Sequence, residues 1–189
     1  MPTQFSPSRE FVTDGRLRLF AMYLDYPASI RARWANSTMS QIAGDNWIIS
    51  TEMWRIDSLE TNPAIAKMVT EEATKADVIV VVASSLDYRH HQLTRWLESL
   101  GKLNTLRQTT GLLIGLFGDE QNQKSELGWT VYQLLNCAST MNCDFIWHWM
   151  DADAMKDYGW LTENLQPFLT RKRHETEKAL LFEPQLIAV

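Results

Sequence analysis

Residues 76–85, with the sequence Ala-Asp-Val-Ile-Val-Val-Val-Ala-Ser-Ser, constrain the fold more than any other part of this chain. Five consecutive β-branched residues stand there with no polar side chain between them. A strand with one face exposed to solvent alternates apolar and polar side chains. The central strands of a parallel sheet are covered on both faces and are apolar throughout. We therefore predict that this segment is the central strand of a parallel sheet in an α/β protein.

Strand-like and helix-like patterns alternate along the rest of the chain. The predicted strands cover residues 17–24, 47–56, 76–85, 111–118 and 144–150. The segments between them carry apolar residues at helical spacing, and Pro27 and Pro63 stand where the first turn of a helix tolerates proline. This alternation predicts a three-layer, doubly wound α/β sandwich, with a five-stranded parallel sheet and helices on both faces. We predict the strand order 2-1-3-4-5, because the second and fifth strands are the least uniformly apolar.

The length of 189 residues predicts a single globular unit with extended ends. Residues 1–14, rich in Pro and Ser, are predicted to form a flexible N-terminal arm. Residues 15–170 are predicted to form one α/β domain. Residues 171–189 are predicted to extend the last helix and to end in an apolar tail.

Composition and charge exclude several classes of function. A net charge of −5 argues against a nucleic-acid-binding surface, which needs clustered positive charge. No apolar run approaches the roughly 20 residues that cross a membrane, and the N-terminus lacks the pattern of a secretory signal. Cys137 and Cys143 have neither disulfide-framework nor zinc-site spacing, so we expect reduced thiols in a cytoplasmic protein.

The loops after the strands hold the candidate site, because ligands of such sheets bind beyond the carboxyl ends of the strands, where the winding direction reverses. The side chains that we predict to line this cleft are Asp25, Tyr26, Ser84, Ser85, Asp87, His90, Asp119 and Asp151. Their carboxylates have the hard oxygen atoms that suit Mg²⁺. Aspartate is also a common helix N-cap, and we favour capping over metal binding.

The loop after the first strand does not have the composition of a phosphate-binding loop. A phosphate needs glycine or small hydroxylated residues whose backbone N–H groups converge at a helix N-terminus. Asp25, Tyr26 and Pro27 offer instead an acid, a large ring and a residue without an N–H. Neither G-x-G-x-x-G nor G-x-x-x-x-G-K-[ST] occurs in the chain. We therefore predict no phosphate site, no cofactor and no metal.

No catalytic residue is predicted from the hydroxyl and imidazole groups. Ser84 and Ser85 precede His90 as in some hydrolases, but the G-x-S-x-G elbow is absent. Asp87 and His90 have the i, i+3 spacing of a surface or capping pair on a helix. We favour that structural role.

The order of elements resembles the receiver domains of two-component signalling and, more loosely, the flavodoxins, over about residues 16–170. Receivers carry paired acids after the first strand, an aspartate at the end of the third, a hydroxyl after the fourth and a lysine after the fifth. Here only Asp25 matches the acidic pair, and Ser84 and Ser85 end the third strand. Asp119 follows the fourth strand, and Asp151 takes the place of the lysine. The resemblance implies a degenerate receiver that lacks the phosphotransfer residues.

Three segments also resemble a set of uncharacterised bacterial proteins of similar length. They are Met-Trp-Arg-Ile-Asp at 53–57, Glu-Ala-Thr-Lys-Ala-Asp-Val-Ile-Val at 72–80 and Trp-Leu at 96–97. That resemblance brings no activity with it.

Aromatic residues on the two edge strands give the chain a candidate interface. The residues that we predict to form it are Trp47 and Trp54 on the second strand, Trp147 and Trp149 on the fifth, and Leu181 and Phe182 near the C-terminus. Unpaired edge strands and exposed aromatic side chains favour contact with another protein. The alternative is that the arm and the tail of the same chain cover both edges. The basic run at 171–174 is predicted to be a solvated face rather than an anion site.

These observations predict a protein-binding or regulatory module without assignable catalytic activity, associated with a protein partner or with further copies of itself. The alternative is a flavin- or nucleotide-binding oxidoreductase of flavodoxin-like fold. A third hypothesis is Mg²⁺-dependent phosphoryl chemistry on the acidic residues of the cleft.

Overall fold

A computed structural model describes residues 15–84, 90–103, 110–118, 124–150, 153 and 155–182, with the backbone alone for residues 90, 124–127 and 179–182. The strands are β1 (Gly15–Tyr23), β2 (Trp47–Arg55), β3 (Val78–Ala83), β4 (Gly111–Phe117) and β5 (Cys143–Trp149). The helices are α1 (Tyr26–Ala43), α2 (Ser58–Thr61), α3 (Pro63–Lys75), α4 (His90–Leu103), α5 (Lys124–Thr140) and α6 (Gly159–Phe182). The predicted arm at 1–14 and the end of the predicted tail lie outside the described residues.

The five strands form one parallel sheet in the order β2-β1-β3-β4-β5. This is the predicted order, and it is the order of the flavodoxin-like folds. Every residue of β3 and of β4 is buried, as their uninterrupted apolar runs require. The predicted fold class is therefore confirmed.

Helices cover both faces of the sheet, because neighbouring residues of each strand point to opposite sides. Ile79 belongs to the core layer beneath α3, α4 and α5, whereas Val80 belongs to the layer beneath α1 and α6. Phe20 and Leu113 extend the first layer, and Leu116 lies in the second. The arrangement is the predicted three-layer sandwich.

The buried face of α1 is only partly the one that its larger apolar residues indicate. Trp34 and Ile42 pack partly against the core, whereas Ile30 is exposed. The residues in the core are instead small ones, Ala28, Ala32 and Ala35, followed by Met39. Small side chains let a helix backbone approach a sheet closely, so volume rather than hydrophobicity selects the packed face here.

The helix α6 runs without interruption across residue 170. The basic run in its second half also contains a buried side chain, which the prediction of a solvated face missed. Lys172 is buried, and its Nζ lies 2.8 Å from Asp77 Oδ1 at the start of β3. None of the helices within the described ranges is long and apolar enough to span a membrane.

Candidate functional site

The carboxyl ends of β1, β3, β4 and β5 come together at one edge of the sheet. Parallel pairing continues there past the strand ends, since the Leu24 N–H donates to Val82 and the Gly118 N–H donates to Ala83. The Met150 N–H donates to the Phe117 carbonyl in the same way. This edge therefore holds the backbones of residues 24, 84, 118 and 150 in a fixed arrangement.

Asp25 is the central polar group of this edge. Its Oδ1 accepts a hydrogen bond of 2.7 Å from the Ala28 N–H, which makes it the N-cap of α1. Its Oδ2 accepts a bond of 2.9 Å from the Ser84 N–H at the end of β3. One carboxylate thus caps a helix and ties that helix to the central strand, which is the capping role that we favoured.

The hydrogen bonds that Asp25 accepts also make anion binding at the start of α1 unfavourable. A phosphate at the start of α1 would bind backbone N–H groups of the first turn. The Asp25 carboxylate already accepts the Ala28 N–H, and Pro27 has none to give. A phosphate group would have to displace a negative charge that belongs to the chain itself.

Arg31 brings a cation to this edge, and the sequence interpretation missed it. Its guanidinium donates a hydrogen bond to the Ser84 hydroxyl. A Cβ atom on Gly118 would lie 3.1 Å from Arg31 Nη1 and 2.7 Å from the Ser84 carbonyl oxygen, so glycine is needed at this close approach. The sequence feature that could have indicated this position is the spacing of Arg31 from Ala28, because a residue three positions later lies on the same face of a helix.

Among the remaining predicted cleft residues, the described part of the chain includes the side chain of Tyr26 alone. Tyr26, in the first turn of α1, is largely exposed. His90 begins α4, but its side chain lies outside the described residues, as do Ser85, Asp87, Asp119 and Asp151 entirely. Among the side chains that the structure places, no three His, Cys, Asp or Glu residues are close enough to hold a metal ion.

The predicted interface residues fall into three groups. Trp147 is 40% exposed on the edge strand β5, and Trp149 and Trp54 are half-buried. Trp47 is only 7% exposed and packs over Gly15, where a Cβ would lie 2.6 Å from its ring, so it can offer little area to a partner. Leu181 and Phe182 form the end of α6, and their side chains lie outside the described residues.

The outward face of α5 carries further exposed aromatic side chains, which were not predicted. Trp129 and Tyr132 are exposed, with ring centroids 5.9 Å apart. Leu135 is exposed as well. The sequence feature that could have indicated this face is the absence of charge, because residues 128–140 contain no Asp, Glu, Lys, Arg or His. A solvated helix face ordinarily carries charged residues.

The two cysteines are free thiols, as predicted. One of them, Cys137, is unreactive. Burial, and secondarily the neighbouring Cys143, raises the pKa of Cys137 from 9.0 to about 12. The thiolate is the reactive form, and at pH 8 nearly all of Cys137 is the unreactive thiol. Cys137 is therefore unsuited to act as a nucleophile.

We expect iodoacetamide at pH 8 to leave Cys137 of the folded protein unmodified while it alkylates the half-buried Cys143. Tandem mass spectrometry locates the modified residue, and the urea-unfolded protein, in which both react, is the control. Equal alkylation of Cys137 in the folded and unfolded protein would contradict the burial of this thiol.

No protein-family model and no curated protein sequence matches this chain. Similar solved structures include a flavodoxin of Streptococcus pneumonia TIGR4, at 10% identity and a TM-score of 0.49, over 84% of this chain and 99% of the flavodoxin. A short-chain flavodoxin associated with a PDU bacterial microcompartment is 15% identical with a TM-score of 0.44, over 81% and 99% of the two chains. The fold assignment rests on the strand order of this chain itself.

Proposed function

We propose that this protein works as a binding module that pairs with a second copy of itself along the edge strand β5. The observation that carries the proposal is the composition of that edge. This edge strand contains five large side chains in a row, Phe145, Ile146, Trp147, His148 and Trp149. No other described strand pairs with its outer side. A long apolar edge strand is a template for pairing with another chain.

The flanking helix supplies further contact surface of the same kind. One flank of α5 packs against α4, since Asn136 and Thr140 share a cavity with Leu97 and Gly101. Leu135 is exposed and lies about 100° around the helix from Asn136. Interface centres are depleted in charge and enriched in aromatic residues, and the uncharged helix face with its two aromatic rings has that composition.

The order of residues in β5 favours a second copy over an unrelated partner. A two-fold axis through Ile146 would pair two β5 strands antiparallel and place Asp144 of each copy opposite His148 of the other. The same register puts Phe145 opposite Trp147 on the other face of the sheet. Aromatic pairs that face each other across strands are stabilising, so the two Phe145–Trp147 pairs would make the strand complementary to itself.

The experiment is size-exclusion chromatography with light scattering at micromolar concentrations. We expect the wild type to elute at twice the chain mass of 21.8 kDa. Trp147→Lys places like charges at the interface and removes an exposed ring, so we expect a monomer with an unchanged circular dichroism spectrum. Thr51→Lys, in the middle of the other edge strand, is the matched control and should stay dimeric. A monomeric wild type, or a dimer that Trp147→Lys does not weaken, would contradict self-association through β5.

Flavin or nucleotide binding is the second candidate, and Arg31 is the observation that favours it. Its guanidinium is a positive charge beside Ser84 at the edge where such folds bind ligands. The Asp25 carboxylate opposes it by holding the N–H groups of Ala28 and Ser84. A yellow preparation that releases a flavin on unfolding would favour this candidate, whereas a colourless protein with no retained nucleotide in mass spectrometry would dispose of it.

A further inference from the structure

The helix α5 has three faces, and two of them have partners within the chain. One face is buried in the core layer over β4 and β5, and a second lines the groove against α4. The third face carries residues at i, i+4, i+7 and i+11, which lie in one stripe along a helix. These residues are Gly128, Tyr132, Leu135 and Ser139. All four are exposed and none is charged, so the stripe has the composition of a contact surface rather than of a solvated face.

Gly128 is the residue of this stripe that the chain itself does not explain. Glycine is less favourable within a helix than any residue except proline. Its φ is not in the left-handed region, which among the described glycines only Gly44 occupies. A Cβ atom on Gly128 would have no described atom within 4 Å. Neither the backbone nor the packing of this chain therefore requires glycine here, whereas the close approach of a second helix backbone would require it.

The β5 strand alone is too small for a stable dimer. It contains seven residues, whereas a stable interface ordinarily has about 20–30 residues on each side. Pairing through β5 would place the two α5 helices two strand spacings apart, about 10 Å, because each lies over β4 and β5. Helices in contact are about 8–10 Å apart. The second copy would therefore bring its own α5 against the exposed stripe.

The level of the two-fold axis on α5 follows from β5 and, separately, from the stripe. In the proposed strand pairing the axis passes through Ile146, about 10 Å from the start of β5. Because α5 connects two parallel neighbours, it runs opposite to them, and it ends at Thr140 beside the start of β5. At about 1.5 Å per residue, the axis then lies about seven residues earlier, near Gln133. The stripe is centred between its second and third residues, at 133–134.

We propose that α5 packs antiparallel against α5 of a second copy along this stripe, with Tyr132 of each copy against Leu135 of the other. The same symmetry brings Gly128 opposite Ser139 on either side of that centre. The large side chains then meet at the axis, and the small ones lie where the two backbones come closest. This contact rests on the proposed pairing through β5, and it supplies the area that the strand lacks.

Sedimentation equilibrium of the full chain measures the dissociation constant of the dimer. Gly128→Leu fills the space that the second helix needs, so we expect the dimer to weaken at least about tenfold. Leu135→Ser removes the central apolar contact from both copies and should weaken the dimer by about tenfold as well. Gln133→Leu, which places leucine on the face toward α4, is the matched control and should change the dissociation constant less than about threefold.

The fold of Gly128→Leu is checked in the Trp147→Lys background, which we expect to be monomeric. There Gly128→Leu should unfold at the same or a higher urea concentration, because leucine favours a helix more than glycine does. If it unfolds earlier, Leu135→Ser decides alone, and an unchanged dimer in that variant would overturn the α5 contact.

The results distinguish this contact from the pairing through β5. A dimer that Trp147→Lys weakens and that Gly128→Leu and Leu135→Ser leave unchanged would overturn the α5 contact and leave the strand pairing standing. A dimer that Gly128→Leu weakens and Trp147→Lys does not would support the α5 contact and contradict the strand pairing. Equal weakening by Gly128→Leu and Gln133→Leu would overturn the assignment of the stripe, and a monomeric wild type would overturn both proposals.

Discussion

Replacing Asp77 by alanine is expected to lower the free energy of unfolding by about 3 kcal/mol. The carboxylate lies at the start of the central strand, where Oδ1 is 2.8 Å from Lys172 Nζ and Oδ2 accepts the Arg18 N–H at 2.8 Å. The two side chains are only 13% and 11% exposed. Removing the acid therefore leaves a largely buried ammonium without the carboxylate that compensates its charge. Glu175, 3.9 Å from the same ammonium, keeps the loss at the lower end of the range for buried pairs.

Urea unfolding at pH 7, followed by circular dichroism, measures this effect. The double variant Asp77→Leu with Lys172→Met removes both charges and should recover most of the lost stability, because an apolar pair of similar volume often replaces a buried ion pair at little cost. Lys156→Ala breaks the exposed pair with Asp153 and should change stability by less than about 1 kcal/mol. A loss below about 1 kcal/mol in Asp77→Ala would show that the Asp77–Lys172 pair does not join α6 to the sheet.

Asp25→Ala is expected to lower the free energy of unfolding by about 2 kcal/mol. The substitution removes the N-cap of α1, typically about 1 kcal/mol, and takes the acceptor from the partly buried Ser84 N–H, which adds about 1 kcal/mol or more. Asp25→Asn has a single carbonyl oxygen and can serve only one of the two donors, so about half of the loss should remain.

The matched control for Asp25 is Asp57, which stands at the N-cap of α2 but makes no capping bond. Its carboxylate pairs with the exposed Arg55, so Asp57→Ala should cost less than about 1 kcal/mol. Urea unfolding compares the four proteins. If Asp25→Ala were as stable as the wild type, the Asp25 carboxylate would not be the group that joins α1 to β3.

The sheet could be predicted from the sequence because its signals are local and strong. The apolar run of β3 required burial on both faces, and the mixed composition of β2 placed that strand at an edge. Such patterns depend only on neighbouring residues and on the period of a strand. The strand order followed from ranking those runs by apolar content, and the structure has that order.

The site could be predicted only in part, because its decisive contacts join distant residues. The capping role of Asp25 is local, but its second bond reaches Ser84, 59 positions away. Arg31 and Lys172 each look like ordinary charged residues of a helix. Only the packed structure places one beside Ser84 and the other against Asp77. The sequence at 76–77 and 171–173 does not indicate the Asp77–Lys172 ion pair, because a charge pattern predicts pairs only within a single helix.

The predicted interface combines buried and exposed aromatic residues for a similar reason. Aromatic side chains suit both cores and interfaces, and composition cannot separate the two. Trp47 belongs to the core because Gly15 opposite it leaves room for the ring. Trp147 is exposed because β5 ends the sheet. The absence of charge from residues 128–140 is the sequence feature that accompanies the exposed Trp129 and Tyr132 on α5.

Disulfide trapping at the two-fold position of β5 tests self-association most directly. In an antiparallel pair centred on Ile146, the two Ile146 Cα atoms would lie about 4.5–5.5 Å apart, within the range of a disulfide bond. The variant Ile146→Cys, made with Cys143→Ser, is oxidised mildly at micromolar concentration and run on a non-reducing gel. Thr51→Cys in the same background is the control on the other edge strand. Pairing through β5 predicts a covalent dimer from Ile146→Cys and a monomer from Thr51→Cys. A monomer from both, or equal dimer from both, would contradict it.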